Sequence, residues 1–251
     1  MAGAMGGKPM SRMLVTRPEP DAQSTVLRLA GLGIEAVAAP LMVRQTLPVS
    51  LPPAAGFQAM VLTSTNALRS LADRGVLDDY LSLPVFSVGD RTAREAEAAG
   101  FTRVSSAAGA LQDLVNAIAL AKVLGPLFHP TGKHQSGDLA QALAPFGVMV
   151  VTAKIYDMVA EEDLPFEIEA ALGDDINAVL LYSRRTAEIF TEVTRSLDEA
   201  RRRKLSLLCI AEQAAEPLLA ARFGRISLAD RPDDDAMMAL ALAFTREQTG
   251  P

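Results

Sequence analysis

The chain has little of the chemistry that many functional classes require. Its 251 residues include one cysteine, two histidines and no tryptophan, and aromatic residues make up only 5%. A single cysteine cannot form an internal disulfide. Cys209 lies in an apolar run, which predicts an unreactive thiol in a core and a reducing compartment. With so few cysteines and histidines, we expect no metal site and no metal cofactor.

The sequence also lacks an excess of positive charge and any long apolar segment. Its net charge is −6, whereas a general nucleic-acid-binding protein needs a basic surface to neutralise phosphates. No apolar run reaches the roughly 20 residues that span a bilayer. Residues 1–12 are rich in Gly and Ala and lack the apolar centre of a signal peptide. We therefore expect a disordered leader, a cytoplasmic location, and neither nucleic-acid nor membrane partners.

What the sequence does contain is an internal repeat. Three segments have counterparts elsewhere in the chain, and most of these runs are apolar and lead into a helix-like segment. Two copies of one fold imply two domains, and a cleft between them suits a large, flexible ligand. The three pairs are 57–64 with 176–183, 85–93 with 207–215, and 14–17 with 128–131.

Apolar runs of strand length alternate with helix-like segments along most of the chain. This alternation predicts parallel sheets with helices on both faces, and the continuously apolar strands fit sheets that are buried on both sides. The expected fold is therefore a doubly wound α/β protein with two similar domains. Residues 41–55 and 154–163 lack helical periodicity and are predicted to be extended. Two consecutive domains and a discontinuous arrangement fit these patterns equally well.

Chemistry is expected at the carboxyl ends of the strands, where parallel α/β sheets bind ligands. These ends hold small hydroxyl residues, glycines and cations at helix starts, where free N–H groups and the helix dipole favour anions. Arg and Lys add charge-assisted hydrogen bonds to carboxylates. Helix capping, turn geometry and solvated surface are alternative roles for the same residues. The candidate substrate-binding residues are Thr16, Arg17, Thr63, Ser64, Thr65, Asn66, Gly89, Asp90, Arg91, Thr92, Thr131, Gly132, Lys133, Ser183 and Arg184.

Several blocks resemble the uroporphyrinogen-III synthase family. Residues 61–67 read VLTSTNA and are similar to the family's block of two apolar residues followed by T-S-x-N-A. Residues 86–93 read FSVGDRTA and resemble its V-G-x-x-T-A block. Residues 14–18 are similar to its opening strand, and Ile155 with Tyr156 to its V-Y connector. In order and spacing, the resemblance extends over residues 13–245.

This resemblance implies a discontinuous arrangement of two flavodoxin-like domains. The first domain would contain residues 13–40 and 164–251, and the second would contain residues 47–153. Residues 41–46 and 154–163 would then form a two-stranded extended linker between the domains.

The resemblance also implies an enzyme, a cofactor-independent hydro-lyase of the tetrapyrrole biosynthesis that leads to haem, cobalamin or chlorophyll. Its reaction closes the linear tetrapyrrole hydroxymethylbilane to uroporphyrinogen III, with inversion of ring D and loss of water. Tyr156 matches the family's tyrosine and becomes the candidate general acid for loss of the hydroxyl, with packing at an interdomain hinge as the alternative. The family further implies a monomer to which hydroxymethylbilane synthase hands over the substrate.

One block departs from the family pattern. Residues 210–215 have Ala211 and Ala214 where the family has Gly and Thr, so a hydroxyl contact from this loop is lost. Glu212 is, moreover, an unusual neighbour for carboxylates. The departure favours Thr63–Asn66 and Gly89–Thr92 as the main contacts. It also leaves a second function open, a non-catalytic tetrapyrrole- or anion-binding sensor module with two flavodoxin-like domains.

Overall fold

Helices and strands alternate along the chain in a computed structural model that describes residues 12–107, 109–123, 125–135 and 137–249. Of the predicted leader, only Arg12 lies within these residues, and it begins the first strand. The strands are β1 (Arg12–Val15), β2 (Ala36–Ala38), β3 (Met42–Thr46), β4 (Ala59–Leu62), β5 (Val85–Ser87), β6 (Val104–Ser106), β7 (Leu127–Gly132), β8 (Val150–Ala160), β9 (Ile176–Leu181), β10 (Ser206–Cys209) and β11 (Arg225–Leu228). The α-helices are α1 (Asp21–Gly31), α2 (Thr65–Asp73), α3 (Asp90–Ala98), α4 (Leu111–Leu120), α5 (Leu139–Leu143), α6 (Phe166–Ala171), α7 (Arg184–Val193), α8 (Glu199–Lys204), α9 (Glu212–Ala215) and α10 (Asp234–Thr249).

The chain forms two compact units. Unit 1 contains the described residues up to Val43 and from Val159 onward, and unit 2 contains Arg44–Met158. The chain passes from one unit to the other within β3 and returns within β8, and these strands are neighbours in one sheet. Both passages fall inside the segments predicted to be connectors. The domain limits drawn from the sequence and the two-stranded linker itself stay predictions.

Unit 1 is built on a five-stranded sheet with the order β11-β10-β9-β1-β2. Its neighbouring strands are all parallel. Numbered along the chain, this is the flavodoxin-like order 2-1-3-4-5. Successive side chains of β1 belong to different clusters, because side chains alternate across a strand. Met13 and Val15 pack with residues of α10, and Leu14 packs with residues of α7. Helices therefore cover both faces of the sheet.

Unit 2 is built on a six-stranded sheet with the order β3-β8-β7-β4-β5-β6. The pairs formed among β4 to β8 are parallel. Met60 and Leu62 of β4 pack with residues of α2 and α3, whereas Ala59 and Val61 pack with residues of α4 and α5. This sheet is likewise covered on both faces, so the predicted class of two similar doubly wound α/β domains is confirmed.

The segments that repeat in the sequence form equivalent strands of the two sheets, and these strands pair in the same register. Reading both sheets from the same end, β6-β5-β4-β7-β8 of unit 2 corresponds to β11-β10-β9-β1-β2 of unit 1. Met60 of β4 pairs with Phe128 of β7, and Val179 of β9 pairs with Leu14 of β1. These are the pairings that the aligned segments predict. The two units therefore share one spatial order of strands, although the chain enters that order at different strands.

The single cysteine is part of the core of unit 1, as predicted. Cys209 is fully buried, and burial raises the pKa of its thiol to about 12. A thiol that stays protonated is a poor nucleophile. No helix among the described residues is both long and apolar enough to cross a membrane.

Candidate functional site at the strand ends

Each sheet has a point at which the strand order reverses, and ligands of open α/β sheets bind beyond the strands there. In unit 1 this point lies between β9 and β1, and in unit 2 between β4 and β7. Thr16 and Arg17 follow β1, and Ser183 and Arg184 follow β9. In unit 2, Thr63–Asn66 follow β4, and Thr131–Lys133 lie at the end of β7. These residues therefore fall at the reversal point of their own unit, whereas the predicted residues Gly89–Thr92 follow β5, the next strand of the sheet.

Unit 2 presents the hydroxyl-rich segment after β4 at the start of α2. Ser64 is the N-cap of this helix, and its side chain accepts a hydrogen bond from the Asn66 backbone N–H. The Asn66 side-chain amide lies 3.6 Å from the sulfur of Met158. Thr63, Ser64 and Asn66 are half-buried, whereas Thr65 is buried. Capping thus explains part of the pattern, and it leaves the side chains of Thr63 and Asn66 within reach of solvent.

The next strand end, after β5, carries α3 without a side-chain cap. Gly89 is its N-cap and makes no side-chain cap hydrogen bond, and Asp90 places a carboxylate in the first turn. The carboxylate of Asp90 accepts a hydrogen bond from the Ser106 hydroxyl at 2.6 Å. Arg91 is exposed and lies 3.8 Å from Glu95, and Thr92 is buried. Uncapped amides at the positive end of a helix dipole favour an anion at Gly89.

Tyr156 lies against the end of β7. Gly132 is paired with it across β7 and β8, and the Lys133 N–H donates to the Tyr156 carbonyl at 2.8 Å. A Cβ atom on Gly132 would lie 2.8 Å from a ring carbon of Tyr156. The ring can therefore occupy this position only because residue 132 is a glycine.

The Tyr156 phenol is buried and protonated. Burial raises its pKa above the ordinary value, and this outweighs a hydrogen bond with the Ser64 side chain, the charge of Arg44 and the Gly132 backbone, which lower it. Only 7% of Tyr156 is exposed. This environment suits a hydrogen-bond donor better than a strong acid.

His129 in β7 is a site neighbour to which the sequence analysis gave no role, because it counted the histidines only as too few for a metal site. Its Nε2 lies 3.2 Å from the Thr63 hydroxyl oxygen. The signal that could have revealed it is the repeat, because the equivalent residue in unit 1 is Val15. A histidine at an otherwise apolar strand position marks a special environment.

Lys133 is exposed and forms an ion pair of 3.1 Å with Asp157. Lys133 also lines an open pocket of about 640 Å³ together with Thr152 and Lys154. The hydrogen bond with Lys133 is the largest of the effects that lower the pKa of Asp157 below its usual range. Two lysines and one carboxylate, that of Asp138, line this pocket, so positive charge exceeds negative charge among its lining residues.

In unit 1 the predicted residues after β1 are already engaged. The Thr16 hydroxyl donates to the Leu180 carbonyl at 2.7 Å. The Arg17 guanidinium is bound by Asp234 at 2.7 Å and by Asp21 at 3.2 Å, and it lies 4.2 Å from the centre of the Tyr182 ring. The sequence analysis gave Arg17 as a ligand contact, whereas these contacts make it the centre of an internal ion-pair network.

The other predicted residues of unit 1 lie at the start of α7. Ser183 is the N-cap of this helix, and its side chain accepts from the Thr186 N–H at 3.1 Å. Arg184 is exposed and binds Glu188 and Glu216. Ala211 begins α9 without a side-chain cap, and Ala214 is buried. The side chains of all four predicted residues of unit 1, Thr16, Arg17, Ser183 and Arg184, are therefore bound within the protein.

Metal-binding side chains are not grouped in the part of the chain that the structure describes. Within it, no set of three or more His, Cys, Asp or Glu side chains has the arrangement needed to hold an ion. Hydroxyls, amides and cations therefore make up the candidate site.

Two doubly wound sheets whose strand ends are rich in amides and hydroxyls define a class of α/β protein that is suited to anionic ligands and has no phosphate-loop sequence. The family model described as "Uroporphyrinogen-III synthase HemD" matches residues 23–239. The chain belongs to the uroporphyrinogen-III synthase family. Its reaction is the closure of hydroxymethylbilane to uroporphyrinogen III with loss of water, a lyase step of tetrapyrrole biosynthesis. Nothing in the match favours the alternative of a non-catalytic sensor.

Solved structures give the same fold. The uroporphyrinogen-III synthetase of Helicobacter pylori is 17% identical, with a TM-score of 0.66 over 94% of this chain and 100% of that chain. A mutant uroporphyrinogen III synthase of Thermus thermophilus is 15% identical, with a TM-score of 0.52 over 95% of this chain and 99% of that chain. No curated protein sequence matches the chain. At these identities the likeness concerns the fold.

Proposed function

We propose that unit 2 holds the carboxylates of hydroxymethylbilane at the carboxyl ends of β4, β5 and β7. The observation that supports this most directly is the convergence of Thr63–Asn66, Gly89–Thr92 and Tyr156 on one edge of one sheet. The substrate carries acetate and propionate groups around its rim, so that its recognition calls for several donors rather than one deep pocket.

Charge complementarity supports this edge as the carboxylate site. The N-cap residue of α3, Gly89, makes no side-chain hydrogen bond, and the Asp90 carboxylate in the first turn is bound by the Ser106 hydroxyl. The amides of this turn are therefore proposed to be available to an anion. Lys133 and Lys154 add two cations beside the same sheet. The chain is acidic overall, with a net charge of −6, and a local group of donors therefore matters more than the general field of the protein.

The proposed contribution to catalysis is mainly conformational. Loss of the hydroxyl gives an electron-poor azafulvene, and the isomer formed depends on which pyrrole carbon then attacks it. An enzyme that fixes the linear chain in one shape favours the carbon that already bears a substituent, through a spiro intermediate. Exclusion of water would protect the azafulvene until attack occurs.

Tyr156 is the proposed donor to the departing hydroxyl. We expect Tyr156→Phe to lower kcat about tenfold without abolishing turnover, since a buried phenol with a raised pKa acts as a hydrogen-bond donor and only weakly as an acid. Steady-state kinetics with hydroxymethylbilane measure this.

Tyr80→Phe is the matched control for loss of a buried phenol. The Tyr80 hydroxyl donates to the Pro52 carbonyl at 2.6 Å, away from the proposed edge. The Tyr80→Phe variant should therefore leave kcat unchanged. A Tyr156→Phe enzyme with unaltered kcat would remove the donor role.

The function as a whole is tested by the identity of the product. Supplied with hydroxymethylbilane, the purified chain should give uroporphyrinogen III in large excess over the uninverted isomer that forms spontaneously. Chromatographic separation of the two isomers after oxidation measures the ratio. Formation of the uninverted isomer alone, at the rate seen without protein, would show that the chain does not catalyse the inversion.

Unit 1 has a supporting place in the proposal. Thr16, Arg17, Ser183 and Arg184 remain candidate contacts, although the two arginines would have to share their guanidinium groups with carboxylates of the protein. We also propose that the chain is a cytoplasmic monomer and that hydroxymethylbilane synthase hands over the substrate. A coupled assay with hydroxymethylbilane synthase would test this transfer. An added competitor that binds free hydroxymethylbilane should not lower the yield if the substrate is handed over directly.

A further inference from the structure

His129 is a buried polar residue at a strand position that does not require a polar side chain. It is only 2% exposed and lies in β7 of unit 2. Its counterpart in the aligned strand of unit 1 is Val15, which is fully buried in the same register. The same strand position is therefore filled by an apolar side chain elsewhere in this chain. A buried histidine in that place calls for another explanation.

The imidazole ring makes one hydrogen bond at one nitrogen. Its Nε2 lies 3.2 Å from the Thr63 hydroxyl oxygen. Its Nδ1 is buried and has no hydrogen-bond partner among the described residues. Burial lowers the pKa of His129 to about 4, against an opposing effect of the Asp138 charge. The ring is therefore neutral at neutral pH and carries a single N–H.

The unequal surroundings of the two nitrogens decide which of them holds the proton. A buried N–H without an acceptor is rare and unfavourable, whereas an unpaired acceptor atom is tolerated more readily. The proton therefore belongs on Nε2, where the Thr63 oxygen accepts it. With this tautomer the Thr63 hydroxyl accepts from the ring and can donate its own hydrogen to another partner. With the opposite tautomer the hydroxyl would donate to Nε2 and could only accept from another partner.

We infer that His129 is a positioning residue that makes Thr63 a hydrogen-bond donor towards a carboxylate of the linear tetrapyrrole. Thr63 is half-buried at the end of β4, where the proposed function puts the substrate, and this inference rests on that proposal. A carboxylate is an acceptor only, so a hydroxyl fixed as a donor recognises it and one fixed as an acceptor repels it.

The tautomer is measurable without substrate. The chain has two histidines, so long-range ¹H–¹⁵N correlation spectra contain two ring systems, and His129→Gln identifies the signals of residue 129. We expect a proton on Nε2, a bare Nδ1 and no change between pH 6 and pH 8, given a pKa of about 4. A proton on Nδ1, or an imidazolium at neutral pH, would overturn the inference whatever the chain's activity.

Kinetics with hydroxymethylbilane test the consequence for binding. His129→Val copies the residue of unit 1 and removes the donor, and Thr63→Val removes the hydroxyl. Thr63→Val should raise KM about tenfold, the usual effect of losing a hydrogen bond to a charged group, and His129→Val about threefold, because the hydroxyl remains but is no longer held as a donor. Both should change kcat less than about twofold, and the double variant should be no worse than Thr63→Val alone, because the orientation of the hydroxyl no longer matters once the hydroxyl is gone. His129→Gln supplies an amide N–H at similar reach and should recover most of the affinity.

The outcomes separate this inference from the proposed function. A wild-type chain that forms no uroporphyrinogen III contradicts the proposed function. If the wild type is active but His129→Val leaves KM unchanged, or the effects of the two valine variants multiply, the role of His129 is wrong. Melting temperatures show whether His129→Val is folded, and if it is not, failure of His129→Gln to keep a KM near that of the wild type would also refute the role.

Discussion

A Gly132→Ala chain is expected to lose most of its ability to make uroporphyrinogen III while remaining folded. The added Cβ would lie 2.8 and 2.9 Å from two ring carbons of Tyr156 and 3.1 Å from its hydroxyl oxygen. Ordinary carbon contacts are about 3.5 to 4.0 Å, so the ring must retreat by roughly 1 Å. Only 7% of Tyr156 is exposed, and it belongs to a core cluster of unit 2 that also contains Leu62 and Phe128. Displacement of this size in a positioned group lowers kcat/KM by up to about a hundredfold.

Two further variants make this prediction specific. Gly89→Ala changes another glycine of the proposed site, but its Cβ would lie 3.5 Å from the Gly109 backbone, an ordinary contact, so we expect kcat/KM within about threefold of wild type. In a Tyr156→Val background the ring is absent, and Gly132→Ala should then have little additional effect. Comparable losses in Gly132→Ala and Gly89→Ala would show that steric displacement of Tyr156 is not the cause.

A Gly224→Ala chain is expected to show the largest loss of stability. Its Cβ would lie 1.9 Å from the carbonyl oxygen of Arg203. Gly224 also donates its N–H to the Leu205 carbonyl at 3.1 Å, immediately before β11. Both neighbours are backbone atoms, so no side chain can rotate to relieve the collision. Overpacking of this kind lowers the free energy of unfolding by about 3 kcal/mol or more, which corresponds to a fall of about 10 °C in melting temperature.

Gly31→Ala is the matched control within the same unit. Among the described residues, no atom outside its own helix and its chain neighbours lies within 4 Å of the position that its Cβ would take, and Gly31 occupies the last position of α1. Replacing a helical glycine by alanine should leave the free energy of unfolding unchanged or raise it by up to about 1 kcal/mol. Thermal unfolding followed by circular dichroism compares the two variants. A Gly224→Ala chain that melts within about 2 °C of wild type would show that the backbone near Arg203 shifts easily.

The sequence predicted the architecture well because its strands are long apolar runs and its repeats are local. Residues 57–64 and 176–183 align without a gap. The aligned strands β4 and β9 pair with equivalent strands of their own sheets, in the same register. Such strands are buried on both faces, so composition alone identifies them. Residues 154–163 were predicted to be an extended, polar connector, whereas their first seven residues continue β8 and include Ile155 and Tyr156, which are buried.

The candidate site was predicted less completely, since contacts between distant residues have no local pattern. Arg17 follows β1 as an apparently free cation, yet it is bound by Asp234 more than 200 positions away. Gly132 was predicted to be a substrate-binding or turn residue, and in the structure its lack of a side chain accommodates the Tyr156 ring. His129 carried no motif, and only its distance from Thr63 gave it a role.

The amino-acid sequence by itself determined the class of fold, the pairing of its repeats and the residue types at the strand ends. Periodic burial and helix starts are encoded over a few neighbouring residues, and such patterns survive in a linear string. The tertiary structure alone decided which of those polar groups are already bound to the protein and which still have a hydrogen to donate. That decision depends on distances of about 3 Å between side chains far apart in the chain, and spacing along the sequence does not contain them.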